Sequence, residues 1–281
     1  MSSIDILLLY IEEHLSNEVC VSDIVRVSGC SRRTVHSMFI ERVGISPGAY
    51  IRRRKLCNAA VWLRLTSMSG TAIAFRLGFS SHQSFSREFT RFFGVSPRVY
   101  RNRDTWDMSL LMPPAPMVRE NSLDLACSRL VSLPEMLLSG SKMSFIGKLP
   151  CQGRTRDSQW MKLIFDNLNR CEHDLFIVSE TRIIPGGVDN FLVNTLFGRV
   201  VDFDDVCGRV ESISGGLYLK YSFSGTPVEY STLSIDIATG LLPVLGLKRR
   251  RGADIECFKY SGGEVSDTGV VCCDYYMPVS H

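Results

Sequence analysis

The sequence predicts a multi-domain chain, with an all-α N-terminal domain followed by an α+β C-terminal domain. Three observations lead there. Residues 1–104 hold 15 Lys+Arg against 8 Asp+Glu, a net +7, whereas residues 105–281 hold 17 against 21, a net −4. Apolar spacing is helical as far as Arg101, and the only prolines there are Pro47 and Pro97. After the stiff Met112–Pro116 segment (MPPAP), glycine is common and the apolar runs are short and strand-like. Finally, the basic half repeats itself. GCSRRTVHSMFIERVGISPGAY from Gly29 matches FSSHQSFSREFTRFFGVSPRVY from Phe79, pairing Phe39 with Phe89, Gly44 with Gly94, Pro47 with Pro97 and Tyr50 with Tyr100, always 50 residues apart. The expected bounds are 1–104 for the first domain, 105–124 for a linker and 125–281 for the second domain.

Composition excludes several classes. With 45% hydrophobic residues over 281 positions the chain has ample material for a core. No apolar run approaches the ~18 residues of a membrane span. The start, MSSIDILLLYIEEHL, has neither the basic flank nor the cleavage site of a secretory leader. The expectation is therefore a cytoplasmic protein with no membrane partner. Ten cysteines are scattered without a C-x-x-C pair or a Cys/His cluster at zinc spacing. They read as buried, reduced thiols, with no metal and no cofactor. Adjacent Cys272 and Cys273 would point to opposite faces of a strand.

Each repeat has one anatomy. A short apolar helix comes first, Ser22–Ser28 and then Thr71–Leu77. A glycine follows, Gly29 or Gly78, where a helix stops and the chain turns. A serine, Ser31 or Ser80/Ser81, caps a second helix. That helix is amphipathic: Val35, Met38 and Phe39, or Phe85, Phe89, Phe92 and Phe93, face inward. Outward lie Arg33, His36 and Ser37 in the first unit, and His82, Gln83, Ser86 and Arg87 in the second.

Helix, tight turn and capped polar helix is the helix-turn-helix layout. The outward residues are of the types that read base edges in a major groove: Arg for guanine, Gln for adenine, Ser and His for single contacts. A merely solvated helix face would look the same once; two at a fixed offset in a +7 segment favour double-stranded DNA as the partner. Ser31, Arg32 and Ser81 at the helix starts suit phosphates. Between the units, Ser46-Pro47 starts a helix running to Leu65, with Leu56, Ala59, Ala60 and Leu63 inward. Its 19 residues span about 28 Å, close to the about 34 Å between successive major-groove segments on one DNA face. One chain, as a monomer, could fill both segments. Arg52, Arg53, Arg54 and Lys55 on this helix are further phosphate candidates.

These motifs resemble the AraC/XylS family of bacterial transcription regulators. The resemblance rests on Leu77-Gly78-Phe79-Ser80-Ser81 through Phe89 and Phe93-Gly94-Val95-Ser96-Pro97. The N-terminal position of the domain, with Gly48–Leu56 and Ala60–Thr66, is similar to the MarA/SoxS/Rob subgroup, most of all to its two-domain Rob type. Gly246–Glu256, Glu180-Thr181-Arg182, Gly215–Tyr218 and Tyr276–Val279 extend the likeness past the linker. Where the subgroup has Trp, Gln and Arg in the first reading helix, this chain has Arg33, His36 and Ser37. The second helix's Gln-Gln pair is His82-Gln83, while Ser84, Ser86 and Arg87 keep the subgroup's polar character, so the resemblance implies that Ser84 reads bases too. A different half-site follows for the first helix.

Residues 125–281 read as two βαββ-like modules. The first has strands at Leu130–Leu138 and Ser144–Leu149, a helix at Asp157–Cys171, and strands at Asp174–Glu180 and Asn190–Val201. The second has a strand at Gly216–Phe223, a helix at Pro227–Leu241, and strands at Ile255–Tyr260 and Gly269–Pro278. The resemblance implies a gyrase-inhibitor-like effector domain whose cleft takes small amphipathic or cationic compounds. In it Glu256 would be the buried acid, and Trp160, Phe165, Tyr218, Tyr221, Phe223 and Phe258 the aromatic walls. An edge carboxylate among ordinary core aromatics is the competing reading. The Lys248–Arg251 run reads as a solvated hairpin or an inter-domain contact.

The functional expectation is a sequence-specific transcription regulator, an activator working with RNA polymerase, with no catalytic residues. Two alternatives stay open: small-molecule hydrolysis in the C-terminal domain with a cleft Glu as base, and an architectural or origin-binding protein without regulatory output.

Overall fold

The computed structural model describes residues 3–15, 19–114, 123–149, 158–168, 173–201, 210–259 and 270–281. Among the described residues the chain forms two compact units, one of helices and one of strands with helices packed on them.

The helical unit runs α1 (Ser3–His14), α2 (Val21–Ser28), α3 (Arg32–Val43), α4 (Pro47–Leu65), α5 (Gly70–Arg76), α6 (His82–Phe93) and α7 (Pro97–Asn102). Serine at the N-cap starts five of them: the hydroxyls of Ser31, Ser46, Ser69, Ser81 and Ser96 each accept a backbone N–H of the first turn. The sequence repeat returns as a packing repeat. Phe39 meets Tyr50 edge-on with ring centroids 5.8 Å apart, and Phe89 meets Tyr100 at 5.3 Å. The first pair belongs to a core with Leu7, Leu8, Ile11, Ile24 and Val35, so α1 roofs the first repeat. The connecting helix has the expected bounds, Pro47–Leu65.

Two arginines tie α4 to α7. Arg64 donates to the carbonyls of Tyr100 and Arg101, each at 3.3 Å, while Arg101 Nε donates to that of Leu63 at 3.0 Å. Each side chain satisfies carbonyls that the other helix leaves open at its C-terminus. The segment expected as linker is structured in places: Thr105–Trp106 forms strand β1, and the Met112 N–H donates to Cys57 Sγ at 3.3 Å.

The other unit is an antiparallel sheet of β1, β2 (Ser128–Leu133), β3 (Met136–Lys148), β4 (Leu175–Ile183), β5 (Asn190–Val201), β6 (Val210–Ile213), β7 (Gly216–Gly225), β8 (Lys248–Arg250), β9 (Asp254–Phe258) and β10 (Val271–Ser280). Neighbours follow β1-β8-β10-β9-β4-β5-β3-β6, with β7 between β10 and β2. The helices are α8 (Ser158–Leu168) and α9 (Pro227–Asp236), the latter continuing through a π-turn at Ile237–Leu241. The modules are β3-α8-β4-β5 and β7-α9-β9-β10, joined where β4 pairs with β9 and Ile177 lies opposite Glu256.

Several expectations change. Leu130–Leu138 is not one strand, because the chain breaks at Pro134-Glu135; from Met136 the next strand runs unbroken to Lys148. Its polar middle, Ser139-Gly140-Ser141, lies in the gap between the two expected strands. In the sheet Gly140 pairs with Gly198, and a Cβ on Gly140 would collide with the Phe197 carbonyl. Strand β6 was not anticipated. Lys248–Arg250 is not a solvated hairpin but strand β8, with Arg249 paired to Asp254 at 2.7 Å. Of the seven described cysteines only Cys57, Cys257 and Cys273 are buried, while Cys20, Cys30, Cys127 and Cys272 are exposed. Cys272 and Cys273 do face opposite ways. Burial pushes the Cys257 thiol up to about 11, which keeps it a neutral core residue. The ends of the helix expected at Asp157–Cys171, together with Tyr260 and Gly269, lie outside the described residues.

Candidate nucleic-acid interface

In the first unit, α2 ends at Gly29, whose φ of +63° lets the chain reverse without Cβ strain. Ser31 then caps α3 by accepting from the Thr34 N–H at 3.1 Å. Val35 and Phe39 are fully buried, which fixes the rotation of the helix. Arg32, Arg33, His36 and Ser37 are therefore turned to solvent, and among the described residues they make no side-chain hydrogen bond or ion pair. Donors kept unpaired at a helix start are ready for a ligand rich in acceptors.

The second unit repeats the device. Gly78 (φ +72°) turns the chain, Ser81 accepts from the Ser84 N–H at 3.1 Å, and buried Phe85 and Phe89 orient α6. Gln83 and Arg87, one helical turn apart, are exposed and unpaired among the described residues. Other residues expected to read bases here are engaged locally. Ser84 Oγ donates to the Ser81 carbonyl at 2.9 Å, and Ser86 Oγ lies 3.4 Å from His82 Nε2. The His82 ring sits against Gly70, at the start of α5. Of the expected base readers on α6, Gln83 and Arg87 are thus the two that extend freely.

The basic run on α4 divides by helical phase. Arg52 is exposed and faces Glu88 of α6 at 3.6 Å. Arg53 lies over the Phe92 ring, 5.7 Å from its centroid. Lys55 is half-buried. Arg54 is 4% exposed, bound to Glu12 at 2.8 and 2.9 Å, and donates to the Met112 carbonyl. The phosphate role expected of Arg54 is therefore corrected: its guanidinium is a core group, and reaching DNA would require breaking a buried ion pair. Sequence reasoning passed over Ile40, Thr90 and Arg91, which share the outward faces of α3 and α6.

In the strand unit, Glu256 is 0% exposed and sits mid-sheet, with Tyr275 on β10 and Ile177 on β4 as lateral neighbours. It is not an edge carboxylate. Tyr230 of α9, absent from the expected set, donates its hydroxyl to Glu256 Oε2. The same ring meets Phe223 at 6.1 Å and Phe258 at 6.0 Å. Its place in a Tyr230, Leu233, Ile237 stripe at helical spacing was the available signal. Tyr221 is opposite Tyr275 on this face. Trp160 of α8 covers the neighbouring strands, with ring contacts to Phe145 and Phe197 at 5.5 and 5.4 Å. Phe165 is half-buried on the same helix. Tyr218 does not belong to the group. It pairs in register with Pro278 and Val131, packs with Ile255 and Leu138 on the opposite face, and carries the Arg250 guanidinium 4.8 Å from its ring centroid. An odd residue offset from Tyr221 puts it there.

Among the described residues no cluster has the composition of a metal site, and no helix is long and apolar enough to cross a membrane.

Comparison with known proteins bears on the helical unit first. The family described as "Helix-turn-helix domain" matches residues 24–103. YkgA of Escherichia coli (strain K12), by name an HTH-type transcriptional regulator, is 36% identical over 204 residues, 71% of this chain and 83% of its own. The F1 operon positive regulatory protein of Yersinia pestis is 29% identical over 99% of this chain and 88% of its own. The right origin-binding protein of Escherichia coli (strain K12) is 27% identical over 97% and 96%. The Rob type is thus one of several relatives at comparable distance, and the special closeness expected of it is not what the comparisons give.

Proposed function

The chain belongs to the AraC/XylS family of helix-turn-helix transcriptional regulators, and we propose that it acts as a cytoplasmic activator that binds promoter DNA as a monomer. The family consists of transcription factors, not enzymes, and its helix-turn-helix domain binds DNA sequence-specifically. The single observation that carries the finer reading is the repeated pair of capped helices, α3 and α6, each with an exposed, unpaired polar stripe and joined by a 19-residue helix. That spacing suits two major-groove segments about one turn apart. In this reading Arg33, His36 and Ser37 read one half-site, and Gln83 and Arg87 read the other. Ser31, Arg32, Ser81, Arg52, Arg53 and Lys55 meet phosphates. His82, Ser84 and Ser86 serve chiefly to hold α6 and contribute to its edge.

Bound upstream of a promoter, such a monomer would recruit RNA polymerase. The strand unit would adjust the response by taking a small amphipathic or cationic compound against Glu256, Tyr230, Phe223 and Phe258, a carboxylate set among aromatic rings. Competition between a selected site and random DNA at fixed salt tests the reading. A regulator prefers its site by ~10³-fold or more; an architectural protein shows no such ratio.

A further inference from the structure

We propose that Ile40 is a specificity-determining residue that packs on the C5-methyl group of a thymine in the half-site read by α3. The inference rests on the DNA-reading role of α3 and adds an apolar contact to a set otherwise made of hydrogen-bonding side chains. Ile40 is 45% exposed, and it is the one large apolar residue on the outer surface of α3. The other exposed positions of that helix are Arg32, Arg33, Thr34, His36, Ser37, Glu41 and Arg42. The core of the first repeat takes Val35, Met38, Phe39 and Val43 from α3 and leaves Ile40 out. Folding therefore gives it no packing role, and a β-branched residue also gives less helix propensity than a straight-chain one.

Its angular place is specific. At about 100° per residue, Ser37 lies about 40° to one side of Arg33, His36 about 60° to the other, and Ile40 about 20° from Arg33 on the His36 side. Ile40 is thus inside the arc of the three polar readers, about 4.5 Å further along the axis than Ser37. The internal repeat places Thr90 at the same phase of α6, again exposed and again carrying a methyl group. In a major groove the one apolar feature of the base edges is the thymine methyl. A branched aliphatic side chain projecting among groups that reach base edges is matched to that feature and to no other.

The test is selection of sites from randomised duplexes by the full chain and by Ile40→Ala, which removes an exposed side chain and leaves the core intact. The expected result is one position where the chain requires thymine and the variant accepts other bases. Replacing that thymine by deoxyuridine, which lacks only the methyl, should weaken the chain about 4-fold and leave the variant unchanged, with Ile40→Val intermediate. A variant that keeps the same preference, or a deoxyuridine penalty equal in both proteins, overturns the inference while the DNA-reading role stands. A chain that selects no sequence at all overturns both.

Discussion

Arg54 of α4 and Glu12 of α1 form a bidentate ion pair, Nε and Nη2 each donating to one carboxylate oxygen at 2.8 and 2.9 Å, with Tyr50 Oη donating to Oε1 at 2.9 Å. The pair sits where the first repeat closes on α1. Removing one partner leaves an uncompensated buried charge, which costs about 3–5 kcal/mol. Arg54→Ala should lower the stability of the helical unit by that order in urea titrations. The salt dependence of DNA binding, measured on the fraction that remains folded, should be unchanged. A flattened salt slope with full stability would return Arg54 to the phosphate set.

Arg32 makes the opposite case. It is exposed at the first position of α3 and unpaired among the described residues. Arg32→Ala should leave stability within about 0.5 kcal/mol, weaken specific and random DNA alike, and reduce the slope of log K against log salt by ~0.9. Affinity titrations from low to moderate salt read both effects.

Arg87 and Gln83 extend from α6 one turn apart. Arg87→Ala should cost ~1–3 kcal/mol on the selected site, or about 5- to 150-fold, and relax a single base position. Binding to random DNA should change much less. An unaltered selected sequence would remove Arg87 from the base-reading set.

The Tyr230 hydroxyl and Glu256 carboxylate test the strand unit. Glu256→Gln should abolish any transcriptional response to a lipophilic cation and leave DNA affinity without the compound unchanged. Tyr230→Phe should lower the stability of the unit by about 1–3 kcal/mol, because a buried carboxylate loses a donor. Reporter assays with a panel of cationic amphiphiles, paired with thermal melts, separate the two effects.

Asp274 supplies a pH signature. Burial alone would raise its pKa, but hydrogen bonds from Lys220 and Ser222 and the Lys220 charge outweigh it, and the carboxyl is held below 3.8. A depressed acid contributes stability that is full above the unfolded pKa, about 4, and disappears as pH falls through the folded value. Melting temperature should therefore fall below pH 4 in the parent chain and fall less in Asp274→Asn.

How much of this was legible in the sequence depends on the kind of signal. The helical unit was readable almost to the residue because its instructions are local: serine caps, turn glycines and a 3.6-residue apolar period. The 50-residue repeat then made each reading check the other. Arg54 was missed because a run of four basic residues looks uniform, and burial is decided by its partner on α1, 42 residues away. The strand unit was readable at the level of two βαββ modules. Register was not: Tyr218 and Tyr221 fall on opposite faces, and β8 forms between β1 and β10, which come from distant parts of the sequence. The Gly140–Gly198 crossing needs two glycines from different strands, so neither alone announces a strand interior.

The central claim is that one chain carries two reading helices set one duplex turn apart. Hydroxyl-radical footprinting of the full chain on its selected site, with the number of chains per duplex measured by sedimentation, tests it most directly. The account predicts one chain bound and two protected segments about 10 bp apart on one face of the DNA. A single protected segment, or two chains needed for both, would contradict it.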